Sequence, residues 1–164
     1  MKLVILGTDH ALQHSDTELR ECVATLVESA QITLIGEEYT PKSVAHQVAD
    51  SKGIKWIGID MSQQERDDAG IGDLLHRKFA CRLRKSIAEE IPIYAPTEDG
   101  IRESFWLDRI ADQKIDGTVL LICGAVHVRK VFEIAQQKGH DTTFLFHPEM
   151  PGSQFWESIM PELL

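Results

Sequence analysis

The chain reads as an α/β protein: one domain holding a single open, largely parallel five-stranded sheet with helices on both faces. Three observations predict this. Short apolar runs alternate with stretches of helical spacing, which is how strand–helix–strand units read in sequence. Two of those runs, Leu3–Gly7 and Val119–Gly124, share one pattern: each is rich in leucine or β-branched residues, stops at a glycine, and has a histidine three residues later, His10 and His127. No linker, solenoid-length repeat or low-complexity tract divides the 164 residues, a length that makes one ordinary domain over positions 1–164.

The first strand, from Leu3, ends at Gly7, and Ala11-Leu12-Gln13-His14 reads as a loop. Ser15 with Glu18 three residues on reads as a capping box opening a helix, whose buried stripe is Leu19, Cys22, Val23, Leu26 and Ala30. Ile32–Ile35 is the second strand, closed by Gly36 and followed by Glu37-Glu38. Thr40-Pro41 reads as a helix start, threonine at the N-cap and proline next, with the helix stopping near Gly53. Lys55–Ile59 is the third strand, ending at Asp60. The polar run Ser62–Gly72 reads as a solvated loop. A long helix follows from Asp73 with a basic face of Arg77, Lys78, Arg82, Arg84 and Lys85. Pro92 and Pro96 break the chain, and Thr97-Glu98-Asp99 opens a helix to about Lys114, with Ile101, Phe105 and Ile110 toward the core. Arg102, Trp106 and Arg109 fall on a neighbouring face. Asp116-Gly117 is a turn before the fourth strand, a helix runs from Val126 to Lys138 and stops at Gly139, and Thr142–Phe146 is the fifth strand. The tail carries Phe155, Trp156 and Ile159 as a short apolar patch.

Composition narrows the function. Hydrophobic content of 43% and charged content of 26% are globular values, and a formal net charge of -9 lacks the basic surface that nucleic acid requires. No apolar run is long enough to span a bilayer, and Lys2 with four apolar residues before Gly7 gives no secretory pattern. These features fit a cytoplasmic protein without a nucleic-acid or membrane partner; a small-molecule or peptide substrate and a homo-oligomer are left open. Cys22, Cys81 and Cys123 match neither a disulfide framework nor a C-x-x-C zinc site, so they read as reduced thiols. Cys123, inside an apolar strand, reads as inert rather than nucleophilic. There is no G-x-S-x-G elbow, no Walker A, and no G-x-G-x-x-G after the first strand.

Parallel sheets gather their chemistry along the strands' carboxyl edge. Here that edge carries Asp9 and His10, Glu37 and Glu38, Asp60, His127 and His147. Two chemistries suit such a set. Histidines with a carboxylate, here His10, Glu37 and His127, form a candidate site for a divalent metal ion that would lower the pKa of bound water. Alternatively, a histidine oriented by a carboxylate acts directly as a general base.

These residues also resemble a known family. Gly7-Thr8-Asp9-His10 resembles the first G-T-x-H motif of the Tiki/TraB/GumN group, part of the wider superfamily with ChaN and erythromycin esterase. Glu37-Glu38 resembles its strand-end glutamate, Arg102–Ile110 its arginine-bearing helix motif, and Gly124-Ala125-Val126-His127 its second G-x-x-H. The four matches keep the family's order and span most of the chain. The resemblance implies a catalytic site of His10, Glu37 or Glu38, Arg102 and His127, in a family that includes metal-dependent peptidases, metal-free esterases and haem-binding proteins. The expected function is therefore a small hydrolase of an ester or amide bond, possible metal assistance included, with Arg102 stabilising charge on the attacked carbonyl oxygen. The alternative is a non-catalytic module binding a metal, haem or small ligand at the same edge. The chain is short beside the pattern and lacks room for the family's inserted helices.

Overall fold

A computed structural model describes residues 1–38, 42–71 and 100–148. In chain order it runs β1 (Lys2–Thr8), α1 (His10–Ser15), α2 (Thr17–Ser29), β2 (Ile32–Glu37), α3 (Val44–Lys52), β3 (Lys55–Gly58) and α4 (Gln63–Asp68). It continues with α5 (Ile101–Ala111), β4 (Thr118–Gly124), a 3₁₀ turn (Ala125–His127), α6 (Val128–Gln137) and β5 (Asp141–Phe146). All five strands are parallel, in the order β3-β2-β4-β1-β5.

Alternation along the strands builds two cores. Leu3, Ile5, Leu34, Val119, Leu121 and Cys123 face one side and meet Trp106, Leu107 and Ile110 of α5 and Val128, Val131 and Phe132 of α6. Val4, Leu6, Ile35, Leu120 and Ile122 face the other and meet Leu19, Val23 and Val27 of α2 and Val44, Ala45, Val48 and Ala49 of α3. Strands that bury both faces read as continuous apolar runs, as these do. The central strands β1 and β4 are buried at almost every position.

The connectivity positions the site. After β1 the chain leaves past β4 to reach β2, on the α2 side; after β4 it leaves past β1 to reach β5, through α6 on the opposite side. Neighbouring strands whose exits diverge to opposite faces open a crevice at their carboxyl ends, which is where open parallel sheets hold ligands. Gly7 makes the close packing beneath that crevice possible. A Cβ there would lie 2.6 Å from both Phe146 Cδ1 and Val128 Cγ2, well inside contact distance. Gly7→Ala is therefore expected to cost about 1–3 kcal/mol through overpacking, read as a lowered urea midpoint at unchanged slope.

Several local expectations change. Residues 11–14 are helix, because the Asp9 side chain accepts from Ala11 N (2.7 Å) and caps α1. The following helix is capped by Asp16, not Ser15, with Asp16 Oδ1 accepting from Leu19 N. The polar run after Asp60 holds α4, started by a capping box between Ser62 and Glu65. In α5 the buried stripe is Glu103, Trp106, Leu107 and Ile110, so Trp106 is core while Ile101 and Phe105 are only partly covered. Helix α3 begins after Ser43, whose side chain accepts from His46 N, and ends at Gly53 in the left-handed conformation (φ 64°) that glycine adopts freely. The Thr40-Pro41 helix start, the long helix from Asp73, the Pro92–Pro96 break, the Thr97 helix start, Cys81 and the apolar tail lie outside the described residues.

Candidate functional site

Directly after Gly36, period-two alternation turns the adjacent glutamates Glu37 and Glu38 to opposite faces of the sheet. Glu37 enters the α3 side, where it accepts hydrogen bonds from Gln13 Nε2 (3.3 Å), Ser43 Oγ and Trp56 Nε1 (2.8 Å). Burial pushes its carboxyl above the usual range, while those donors and the nearby His10 pull the other way. Glu38 turns to the α5 side and sits in the crevice between β1 and β4. Its Oε1 accepts from Arg102 Nη2 (2.7 Å) and its Oε2 from Gly124 N (3.0 Å).

Both histidines approach Glu38. His10 Nε2 lies 3.8 Å and His127 Nε2 3.6 Å from Glu38 Oε1. Gly124 gives a second measure of the convergence: a Cβ built there would be 3.5 Å from His10 Nε2, 3.6 Å from His127 Cδ2 and 3.7 Å from Glu38 Oε2. The two imidazoles thus flank a single point at the mouth of the crevice. His127 is 8% exposed at its side chain and His10 51%, so one forms the floor and the other the solvent side.

Each ring is held from behind. His127 Nδ1 lies 2.7 Å from Oε1 of Glu103, a carboxylate with no solvent exposure, and its ring meets Trp106 edge-on at 5.1 Å between centroids. His10 Nδ1 lies 2.7 Å from Oε1 of Gln13, one helical turn on along α1 and itself fully buried. Spacing of three on a helix puts these pairs on one face: His10 with Gln13, and Glu103 with Trp106.

Arg102 links the site to the β3 exit. Besides Glu38 it reaches Asp60 Oδ1 through Nε (3.1 Å) and Nη2 (2.8 Å), and it lies 5.1 Å from the Trp106 ring centroid. Asp60 is also paired with Arg66 of α4 and accepts from Trp106 Nε1 (3.3 Å). Burial pushes the Asp60 carboxyl up, but Arg102 and Arg66, with the Met61 N–H, outweigh it and hold it below its ordinary value. Burial likewise opposes the Arg102 charge, and Glu38 and Asp60 beside it raise its pKa in spite of that. Two carboxylates, Glu38 and Asp60, thus hold the guanidinium.

Of the residues read from the sequence, His10, Glu38, Arg102 and His127 come together, and Glu37 lies behind His10 through Gln13. Asp9 caps α1, and His147 extends β5, its N–H donating to Gly7 O (2.9 Å). The Cys123 thiol is buried and pushed well up by desolvation, with Glu38 and Glu103 adding to the effect, consistent with an unreactive thiol. Glu103 and Gln13 were not singled out in the sequence. Glu103 stands next to Arg102 in a helix whose polar residues look solvated, and only the fold shows it facing inward.

The donor set fits a divalent ion poorly. Among the described residues no three His, Cys, Asp or Glu side chains form a metal-holding group. Glu37 is turned to the other face, and the Glu38 oxygen nearest both rings already carries the Arg102 guanidinium, whose charge a cation would have to oppose. Comparison with protein families, with curated proteins and with solved structures finds no match. No helix among the described residues is long and apolar enough to cross a membrane.

Proposed function

We propose that the chain is a hydrolase of an ester or amide bond in a small molecule or peptide, with water activated by His127 in the β1/β4 crevice. The observation that carries this reading is the Glu103–His127 pair, buried and aimed at the point that His10 and Glu38 also face. A carboxylate behind one ring nitrogen fixes the tautomer and stabilises the imidazolium formed when the other nitrogen takes a proton. In this reading His127 Nε2 removes a proton from water as its oxygen bonds to the carbonyl carbon. The bond to the leaving group then breaks, and His127 returns the proton to the departing oxygen or nitrogen. His10, on the other side, orients the water, which supplies the proximity part of the rate. Arg102 holds Glu38 in place beside the two rings. The ordered likeness of the motifs to the Tiki/TraB/GumN group supports the same reaction class, including its metal-free esterases.

The test uses p-nitrophenyl acetate, p-nitrophenyl butyrate and a panel of amino-acid p-nitroanilides. Turnover above the buffer rate that vanishes in the His127→Gln chain supports the proposal. Failure of the folded wild-type chain to turn over any of them, or equal rates in the variant, rejects it. Gly124→Ala probes the same point sterically. Gly124 has φ -56° and ψ 138°, which alanine accepts, and its added Cβ would make only ordinary contacts. We expect unchanged thermal stability with kcat/KM lowered about tenfold or more, since displacing a reacting group by about an ångström is costly. Equal kcat/KM would place the reacting water elsewhere.

A further inference from the structure

Behind His10 runs a hydrogen-bonded chain of buried polar groups that the hydrolytic reading does not by itself require. Its far end is Glu37. Trp56 Nε1 only donates, so Glu37 Oε2 accepts from it. Ser43 Oγ accepts from His46 N, so its own proton points to the same Glu37 oxygen. The remaining oxygen, Oε1, takes Gln13 Nε2, and the amide turned this way presents its carbonyl oxygen to His10 Nδ1. An amide oxygen only accepts, so the proton of that last bond belongs to the imidazole.

We infer that Gln13, itself locked by Glu37, is a positioning residue that holds neutral His10 as the tautomer protonated on Nδ1, leaving Nε2 as a hydrogen-bond acceptor facing the crevice. The two histidines thus share a tautomer but differ in what backs them. His127 Nδ1 rests on a carboxylate, which stabilises an imidazolium directly, whereas His10 Nδ1 rests on a neutral amide. The division of labour follows: His127 moves the proton, and His10 accepts the water's second O–H, so that the oxygen lone pair faces the carbonyl. This consequence for turnover rests on the proposed hydrolysis; the tautomer itself does not.

A long-range ¹H–¹⁵N correlation spectrum of the uniformly labelled full chain, recorded at mildly alkaline pH where an ordinary imidazole is neutral, reads the tautomer directly. The expected wild-type result is a His10 ring with Nδ1 protonated and Nε2 bare. In Gln13→Met, of similar shape but without the acceptor, that preference is expected to give way to a mixture while His127 keeps its Nδ1–H pattern. A wild-type His10 protonated on Nε2 would mean that the amide is turned round and would overturn the inference without any variant. Persistence of Nδ1–H in Gln13→Met would overturn it as well. On the chromogenic esters, Gln13→Met should lower kcat about ten- to a hundredfold with little change in KM, and an unchanged kcat overturns the catalytic consequence. If the wild-type tautomer is as stated but no ester is hydrolysed, the positioning stands and only the hydrolase reading falls.

Discussion

His127→Gln is expected to lower kcat/KM by about a thousandfold on any ester that the wild-type chain hydrolyses, within the ~10²–10⁴ range that general acid–base groups supply. Glutamine is the informative replacement because it keeps an N–H donor for Glu103, which is fully buried and would otherwise lose the partner at its Oε1. The urea midpoint should therefore move little while turnover collapses. If activity and midpoint fell together, the histidine would be acting through the fold. If neither moved, the proton transfer would belong to another group. Metal analysis of the same preparations gives the competing reading its chance: a stoichiometric divalent ion lost in His127→Gln would favour a metal or small-ligand module over side-chain catalysis.

The second large effect is on stability. Arg102→Met leaves Glu38, 4% exposed, and Asp60, 26% exposed, without the cation that both now share. Removing one partner of a buried ion pair costs about 3–5 kcal/mol, because the Glu38 charge left behind has lost its cation and is scarcely hydrated, while Asp60 keeps only Arg66. That is a large part of the roughly 5–15 kcal/mol that holds an ordinary domain together. The loss should depend on pH with a definite sign. Asp60 is held below its ordinary value in the folded chain, so its pairing stabilises above the unfolded Asp pKa of about 3.9 and is lost as pH falls through the folded value. The gap between wild type and variant, measured by urea unfolding across pH, is therefore widest near neutrality and narrows below about pH 4. A gap independent of pH would point to lost packing on Trp106 in place of lost charge. Arg102→Lys keeps the charge but not the fork that reaches both carboxylates, and should fall between the two.

The sheet is legible in the sequence because buried parallel strands are continuous apolar runs, and Leu3–Leu6 and Val119–Cys123 are of this kind. The histidines are legible because strand ends on a parallel sheet share an edge. What decides between Glu37 and Glu38 is register: β2 pairs Glu37 with Ile122, so the next residue is the one whose side chain enters the α5 side. Neighbouring glutamates carry no mark of this in the sequence alone. Helix α4 had a readable signal in Ser62 and Glu65, overridden by the density of charge around it. Glu103 had none. A carboxylate surrounded by Arg102, Asp108 and Arg109 looks like solvent-facing helix until His127, from another part of the chain, is seen to meet it. Gln13 is similar, an uncharged polar residue whose burial depends on Glu37 arriving from β2. Trp106 was placed beside the core because arginines share its face, yet Arg102 bends back along the ring and leaves the indole inside.

The ladder between β1 and β4, which aligns Lys2 with Thr118 and Thr8 with Gly124, has a kinetic consequence. It joins segments separated by roughly a hundred positions, so the loop-closure entropy falls due before this pairing returns any stability, and such contacts form late. A nascent or truncated polypeptide lacking the second of these strands has His10 but not the His127 that stands across the crevice from it. On the proposed hydrolytic reading, turnover would begin only once β1 and β4 have paired, and partly made molecules would stay inert.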